Sequence, residues 1–442
     1  MTHPAPASTP NSTPSSTLRR LALTEAWERF SLHGVKALLT LYLLTVVLPG
    51  GVERVVGLAT LRRAIEGTTG TGGDLAFASQ VYGLYGALTY LALPFGGMLA
   101  DRLRSRRAII VAGGVLMTAG HLCLIYPAAL LAGLALLIVG TGCLKGNLAA
   151  AVGAAHPPGD SRRDRAFLVY LGFLNVGAML GPLVCGLIAA RLGFSYAFGA
   201  VAAGMIVALA IFRTVPATPA GMADPAPAGG RPGLARAWLA VVSVTLCFSA
   251  YEQLTNIFLV WADAHVDLHV GGFAVPPAWF AAADGLFTIL LVVAGALGWP
   301  RLAHRGWEPP ATAKLALGCV AVATGYALTA LLALSDARLG LAGPVVVVLL
   351  LDIGIVLAWP AALALITAAA PRGRGGMMVG IFYLHGFVAH LVVGRLGAAY
   401  ATMPASRFWL IHVGIATAGA LVALPLLRRQ ATTSSIPASA LR

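Results

Sequence analysis

Runs of about 20 or more apolar residues alternate with short polar gaps from residue 24 to residue 427, and about 20 apolar residues are what a helix needs to cross a bilayer. Runs and breaks together predict twelve spanning helices, near 24–48, 76–100, 107–126, 129–153, 165–191, 194–213, 237–262, 278–300, 311–334, 342–369, 376–400 and 406–427. The first run is interrupted by Glu25, Glu28 and Arg29, unlike the unbroken core of a cleavable leader, so no leader is expected. Residues 53–66 (ERVVGLATLRRAIE) carry a helical period with charges on one side; a short surface helix and a solvated loop both fit. Residues 214–236 hold Pro216, Pro219, Pro225, Pro227 and Pro232 among Gly and Ala, cannot pack a core and read as a linker. The predicted organisation is a disordered Ser/Thr/Pro-rich tail (1–23), a six-helix bundle (24–213), the linker (214–236), a second six-helix bundle (237–427) and a tail (428–442). The fold class is an all-α membrane protein of two six-helix halves.

Composition agrees with this pattern. Of 442 residues, 58% are apolar and 10% charged, against roughly 25% charged in soluble domains. A net charge of +14 invites a nucleic-acid reading, but the basic residues sit in short gaps instead of on one solvated face, so the expected partner is the lipid bilayer and no nucleic acid. Twenty of the 30 Lys and Arg residues fall in the tails and the even-numbered gaps, and six on the opposite side. By the positive-inside bias both termini are predicted to be cytoplasmic, in a multi-pass protein of the cell membrane. The five cysteines lie inside apolar runs without CxxC spacing, so neither disulfides nor a metal site is indicated. There is no GxSxG elbow, HExxH motif or Ser/His pair to suggest an intramembrane hydrolase.

Charges inside the apolar runs carry the functional argument, because each costs at least about 2.5–3.5 kcal/mol at the bilayer centre and those that remain usually face a cavity, paired. The basic ones are Arg29, Lys36, Lys145 and Arg395; the acidic ones are Glu25, Glu28, Glu252, Asp284 and Asp352. In EAWERFSLHGVK (25–36), Glu25, Glu28, Arg29, His33 and Lys36 fall along one helix face for about 16 Å at 1.5 Å per residue. Either that stripe lines a wet pocket, or its first residues snorkel at the interface. Lys36 is too deep to escape. Arg395 reads as a snorkelling residue.

Two six-helix halves with a linker follow the plan of the major facilitator superfamily, with a site between the halves near the midplane. The motifs narrow this further. Glu25-x-x-Glu28-Arg29-Phe30 followed by Gly34 resembles the ExxERFxYYG motif of the proton-dependent oligopeptide transporters, a branch of that superfamily. In order along the chain, YGALTYLALPFGGMLAD (85–101) with Asp101-Arg102 resembles the family's second helix and its loop, and GTGCLKGN (140–147) resembles GxGxxKPN with Lys145 at the family lysine. FLVYLGFLNVGAMLGPL (167–183) resembles the helix-five signature with Asn175 at its asparagine, and SAYEQ (249–253) places Glu252 at the helix-seven acid. AWF (278–280) and WPAALALITAAAP (359–371) resemble helices eight and ten.

The resemblance implies a proton symporter taking up small peptides or peptide-like zwitterions by alternating access. No cofactor other than the coupling proton is implied, and a monomer is expected. Glu25, Glu28 and Arg29 are implied in proton sensing, and Lys36 with Glu252 in an ion pair that is either a gate latch or a static brace. Substrate contacts are implied for His33, Tyr85, Tyr90, Lys145, Asn175, Asp284, Asp352 and Trp359, and a conformational role for Asp101 and Arg102. The pocket departs from the family pattern: the two tyrosines after the arginine are Leu32 and His33, proline after the lysine is Gly146, the helix-ten glutamate falls at Ile355, its serine neighbour at Trp359, the helix-eight asparagine at Asp284 and the helix-eleven tryptophan at Phe382. Asp284 is therefore expected to take a substrate amine, and Asp352 to neutralise Lys145 in the empty state. Either aspartate could instead simply be protonated. Trp359 either narrows the C-terminal half of the site or packs against a neighbour. His385 and His390 are read chiefly as hydrogen-bonded packing residues. The altered helix-ten site keeps two alternatives open, proton-coupled efflux of a drug or metabolite and a ligand sensor that does not transport.

Overall fold

Long apolar segments leave their backbone no partner but itself in lipid, so they form helices. The structure, a computed structural model, describes residues 16–70, 72–103, 105–154, 162–216, 234–369 and 375–434. Twelve helices among them are long and apolar enough to cross a membrane. The first half contains α1 (Ser16–Tyr42), α3 (Asp74–Leu103), α4 (Arg106–Leu124), α5 (Leu130–Ala154), α6 (Arg162–Leu192) and α7 (Phe194–Arg213), with the short α2 (Leu58–Thr69) between α1 and α3. The second contains α8 (Leu234–Tyr251), α10 (Trp279–His304), α11 (Ala311–Leu332), α12 (Ala342–Ala368), α13 (Gly375–Ala398) and α14 (Ala405–Ser434), with the short α9 (Ile257–His265) after α8. Outward faces carry exposed Leu and Val, such as Leu168, Leu290 and Val293, as a lipid-facing surface requires. Expectations for residues 1–15, for 217–233 of the linker, for 435–442 and for Arg104, Arg372 and Arg374 lie outside the described residues.

Three differences from the sequence reading have local causes. α1 begins at Ser16, inside the tail expected at 1–23, because its first turns contain no breaker and bury Leu18, Leu21 and Ala22. The segment at 53–66 settles as a 3-10 turn (Val52–Arg54) and α2, which is braced by Arg62 to Glu66 (2.9 Å) and to Asp74 (2.8 Å). The span predicted at 237–262 is broken: α8 ends at Tyr251, Glu252–Thr255 tighten to 3-10, and Asn256 (φ −114°, ψ −96°) redirects the chain into α9. A two-strand hairpin follows, β1 (His269–Val270) with β2 (Phe273–Ala274), turned by Gly271 and Gly272 at positive φ.

Each half packs through close approaches. On α6, Gly177 and Gly181 face the backbone of α1, where an added Cβ would stand 2.0 Å from the Ala26 carbonyl oxygen and 2.4 Å from that of Phe30. Between the halves, the contacts concentrate at the end of the bundle opposite the termini, called here the far side. α3 lies against α13, with Gly83 facing the His390 carbonyl oxygen and Gly394. α6 lies against α10, with Trp279 Nε1 donating to the Leu183 carbonyl (2.9 Å). The Arg191 guanidinium sits 5.1 Å over the Phe273 ring.

A wedge on α3 is expected to hold the far side open. Gly83→Val would place a side chain where a Cβ already meets backbone of α13 at 2.5–2.7 Å. Spin-label distances between Val56→Cys and Ala337→Cys should lengthen by several ångströms relative to the parent; an unchanged distribution would mean that this contact does not set closure.

Candidate functional site

α1 supplies the densest set of charges. Arg29 Nε lies 2.7 Å from Glu25 Oε1 and 2.8 Å from Glu28 Oε2, and the Tyr170 hydroxyl of α6 donates to Glu25 Oε2 (2.5 Å). All three charged side chains are 2% exposed or less, which rules out snorkelling at the interface. The contact to Glu28 is close but lacks hydrogen-bond geometry, and neither Glu28 oxygen nor Arg29 Nη2 has a hydrogen-bond partner among the described residues. Tyr85, on α3, brings its buried hydroxyl toward Glu28. Tyr170 escaped the sequence reading because an uncharged residue in an apolar run carries no cost signal, although it lies in the helix-five signature.

Two turns along α1, Lys36 Nζ lies 2.5 Å from Glu252 Oε2, in the break between α8 and α9. The break presents a row of polar groups to the other half. Thr40 Oγ1 donates to Asn256 Oδ1 (2.9 Å), Asn256 Nδ2 to Ser79 Oγ (2.8 Å), and Ser79 Oγ to the Gly394 carbonyl (3.2 Å). The hydroxyls of Tyr82 and Thr255 share a 2.5 Å hydrogen bond, and Gln253 Nε2 donates to the Val393 carbonyl (3.0 Å). A broken membrane helix is tolerated where neighbours satisfy its freed groups, as they do here. His390 also reaches Glu252, its Nε2 3.4 Å from the same Oε2.

Between these clusters lie the expected substrate residues. Lys145 Nζ stands 5.4 Å over the Tyr90 ring, a cation–π arrangement, and the charges acting on it are Arg29, Glu28, Glu25 and Lys36. His33, half-buried on α1, faces Lys36, Arg29, Lys145 and Glu252. Asn175 is half-buried with its Nδ2 on the Leu171 carbonyl of its own helix (3.0 Å).

The expectation that Asp352 neutralises Lys145 is corrected by the structure. Asp352, on α12, accepts from Thr288 Oγ1 (2.7 Å) and meets the Asp284 carboxyl of α10, which the Tyr251 hydroxyl also donates to. Helix periodicity placed Asp352 on the face of Ile355 but could not say that a carboxyl from α10 fills the space before it. Trp359 packs edge-on against Phe382 (5.0 Å between ring centres) and borders the Phe248, Ile355 and Ala389 cluster, and the rings of Tyr90, Phe248 and Tyr251 continue this aromatic wall. Away from these residues, exposed Asp101 lies 3.6 Å from Arg106 at the start of α4; Arg102 beside it is exposed. Arg395 is exposed in the last turn of α13.

The comparisons with known proteins agree with this layout. The profile described as Major Facilitator Superfamily matches residues 37–394. The chain belongs to the major facilitator superfamily. Within that superfamily, a peptide transporter of Yersinia enterocolitica is 28% identical over 86% of this chain and 87% of its own. A di-/tripeptide transporter of Lactococcus lactis subsp. cremoris is 26% identical over 89% and 91%. The crystal structure of a peptide transporter POT in complex with sulfate matches with a TM-score of 0.80 at 26% identity, covering 93% of this chain and 94% of that one. The resemblance read from the motifs is thus matched by relatives along nearly the whole length, and this superfamily member is a multi-pass membrane transporter.

Arg29→Ala is expected to lower stability by about 3–5 kcal/mol, because it leaves two carboxyls buried beside one another without the guanidinium that contacts both. Arg29→Lys should recover only part of that, since an ammonium cannot offer the same planar fork. Thermal unfolding of both variants in detergent tests this, and melting within about 2 °C of the parent for Arg29→Ala would refute it.

Proposed function

We propose that the protein takes up small peptides or peptide-like zwitterions with protons, by alternating access of the cavity between its halves. One observation carries the reading. Lys145 on α5 supplies a cation from one half, and Asp284 and Asp352 on α10 and α12 supply carboxyls from the other. A zwitterion with separated ends would bridge them and draw the halves together. The related peptide transporters support this substrate class.

Lys36 and Glu252 fit a latch at the far side. Two unit charges at 4 Å attract by about 4 kcal/mol at an effective dielectric of 20. Protonating Glu252 would remove that attraction and let the far side open. With the termini cytoplasmic, the far side is extracellular, and the proton arrives from the side where it is abundant. One charge crossing 100 mV supplies about 2.3 kcal/mol, enough for roughly 50-fold accumulation.

A second reading, export of an organic cation in exchange for a proton, is favoured by the carboxyl pair. Two neighbouring buried carboxyls repel unless one of them carries a proton, which an incoming ammonium would displace.

In proteoliposomes with an inward proton gradient, di- or tripeptides should accumulate. Lys145→Ala and Asp284→Asn should each reduce uptake by about tenfold or more, the loss of one charge-assisted contact. Esterified peptides should be insensitive to the first substitution and N-acetylated peptides to the second. Absence of uptake for every di- and tripeptide tried would sink the proposal, and proton-driven movement of amines in the opposite direction would favour export.

A further inference from the structure

Glu252 has a neighbour that the latch does not explain. His390, on α13, is 1% exposed and has defined partners at both ring nitrogens: Nδ1 lies 2.9 Å from the Gly386 carbonyl oxygen and Nε2 lies 3.4 Å from Glu252 Oε2. A carbonyl only accepts, so Nδ1 carries hydrogen. A neutral imidazole then has a bare lone pair at Nε2, pointed at a carboxylate that also only accepts. The contact holds together only with one more proton, on Nε2 or on Oε2.

The ring is also held in place. Tyr82 stacks on it (6.3 Å, 27°), the Tyr90 ring centre is 5.2 Å away, and Phe248 closes the remaining side at 6.0 Å. Gly86 of α3 lies directly under it, where an added Cβ would stand 1.9 Å from the imidazole Cδ2. The titratable and charged groups around it are Glu252, Lys36 through Glu252, Tyr82 and Tyr90 of α3, and His385 of α13. Lys36, the Tyr82 hydroxyl (3.5 Å) and His390 all meet the same oxygen, Glu252 Oε2; of the three, His390 is the one whose contacting atom is a bare acceptor when the side chain is neutral.

We infer that His390 is the proton carrier of the far-side gate: with the gate closed it holds a proton on Nε2 against Glu252, and the gate opens when that proton passes to Glu252 and releases Lys36. In the transfer the Nε2–H bond breaks with its electron pair left on Nε2, and an O–H bond forms at Oε2. The triad keeps its total charge while Lys36 loses its anionic partner. Once the far side is open, water reloads Nε2. This deepens the proton-coupled reading and rests on it for its purpose, but the shared proton belongs to the triad and is present without substrate.

The test therefore uses substrate-free protein in nanodiscs, labelled at Val56→Cys and Ala337→Cys, with inter-label distances followed from pH 9 to pH 5. In the parent the far-side-open population should rise as pH falls. His390→Gln keeps a hydrogen-bond donor for Glu252 but carries no titratable proton, so protonation must act on a carboxylate still held by Lys36, and the midpoint should fall by about one pH unit or more. A midpoint unchanged in His390→Gln overturns the inference. Should that variant fail to fold, ¹⁵N spectra of the histidine-labelled parent decide: a proton on or shared at His390 Nε2 near neutral pH supports the inference, and a bare Nε2 throughout overturns it. Absence of peptide uptake by the parent would defeat the proposed substrate class and leave this measurement intact.

Discussion

The contact between Lys36 and Glu252 is the constraint around which the rest of the molecule is arranged. Each charge alone would cost several kcal/mol in hydrocarbon, and the contact of each with the other half, at 2.5 Å, offsets that cost. The helix that carries Glu252 breaks at this residue, and the break presents side-chain polar groups that need partners. Asn256, Thr255 and Gln253 find them in Ser79, Tyr82, Thr40 and the end of α13. The far side is thus closed by a polar seam that surrounds this ion pair. Small residues on α3 and α13 let the helices approach closely enough for that seam to form.

The same geometry joins the Lys36–Glu252 pair to the surroundings of Lys145. Tyr90 lies under the Lys145 ammonium (5.4 Å) and against the His390 ring (5.2 Å), and His390 touches Glu252. Coupling between two sites requires an element whose arrangement both can bias. Tyr90 is such an element by position: an anion that draws Lys145 away would change what packs on the ring that His390 also packs against. On the other side of the cavity, Tyr251 donates to Asp284 from the residue immediately before Glu252. Both ends of the cavity are therefore one residue or one ring removed from the latch.

The twelve spans were legible because hydrocarbon enforces length and apolarity with few exceptions. Where α1 starts was not, since helices continue beyond the bilayer when packing allows, as Leu18 and Leu21 show. The break at 252–256 was hidden for a different reason: EQLTN contains no Gly or Pro, and Ile257 to Ala262 resume the apolar run. Among the site residues, charges in the spans stood out as expensive, so Glu25, Glu28, Arg29, Lys36, Lys145, Glu252, Asp284 and Asp352 could all be named in advance. Their partners could not. Tyr170, Tyr82 and Asn256 are uncharged, and whether they meet a charge depends on tertiary placement. Asp352 shows the limit from the other direction, because its helix face was read correctly while its neighbour was misassigned to the opposite half.

Counting charges in the structure gives the sequence tally a different meaning. With Arg395 exposed in the last turn of α13, the buried interior holds, among the described residues, three cations, Arg29, Lys36 and Lys145, against five carboxyls, Glu25, Glu28, Glu252, Asp284 and Asp352. A low-dielectric interior does not tolerate two surplus negative charges. Neutrality requires two protons, and the geometry offers a place for each. One lies between Asp284 and Asp352, where two carboxyls meet, and the other between Glu252 and His390, where two acceptors face each other. A site that is neutral only when protons are bound exchanges them whenever its fixed charges are rearranged, by a substrate at one end or by opening at the other. That dependence is the physical ground for reading the protein as proton-coupled.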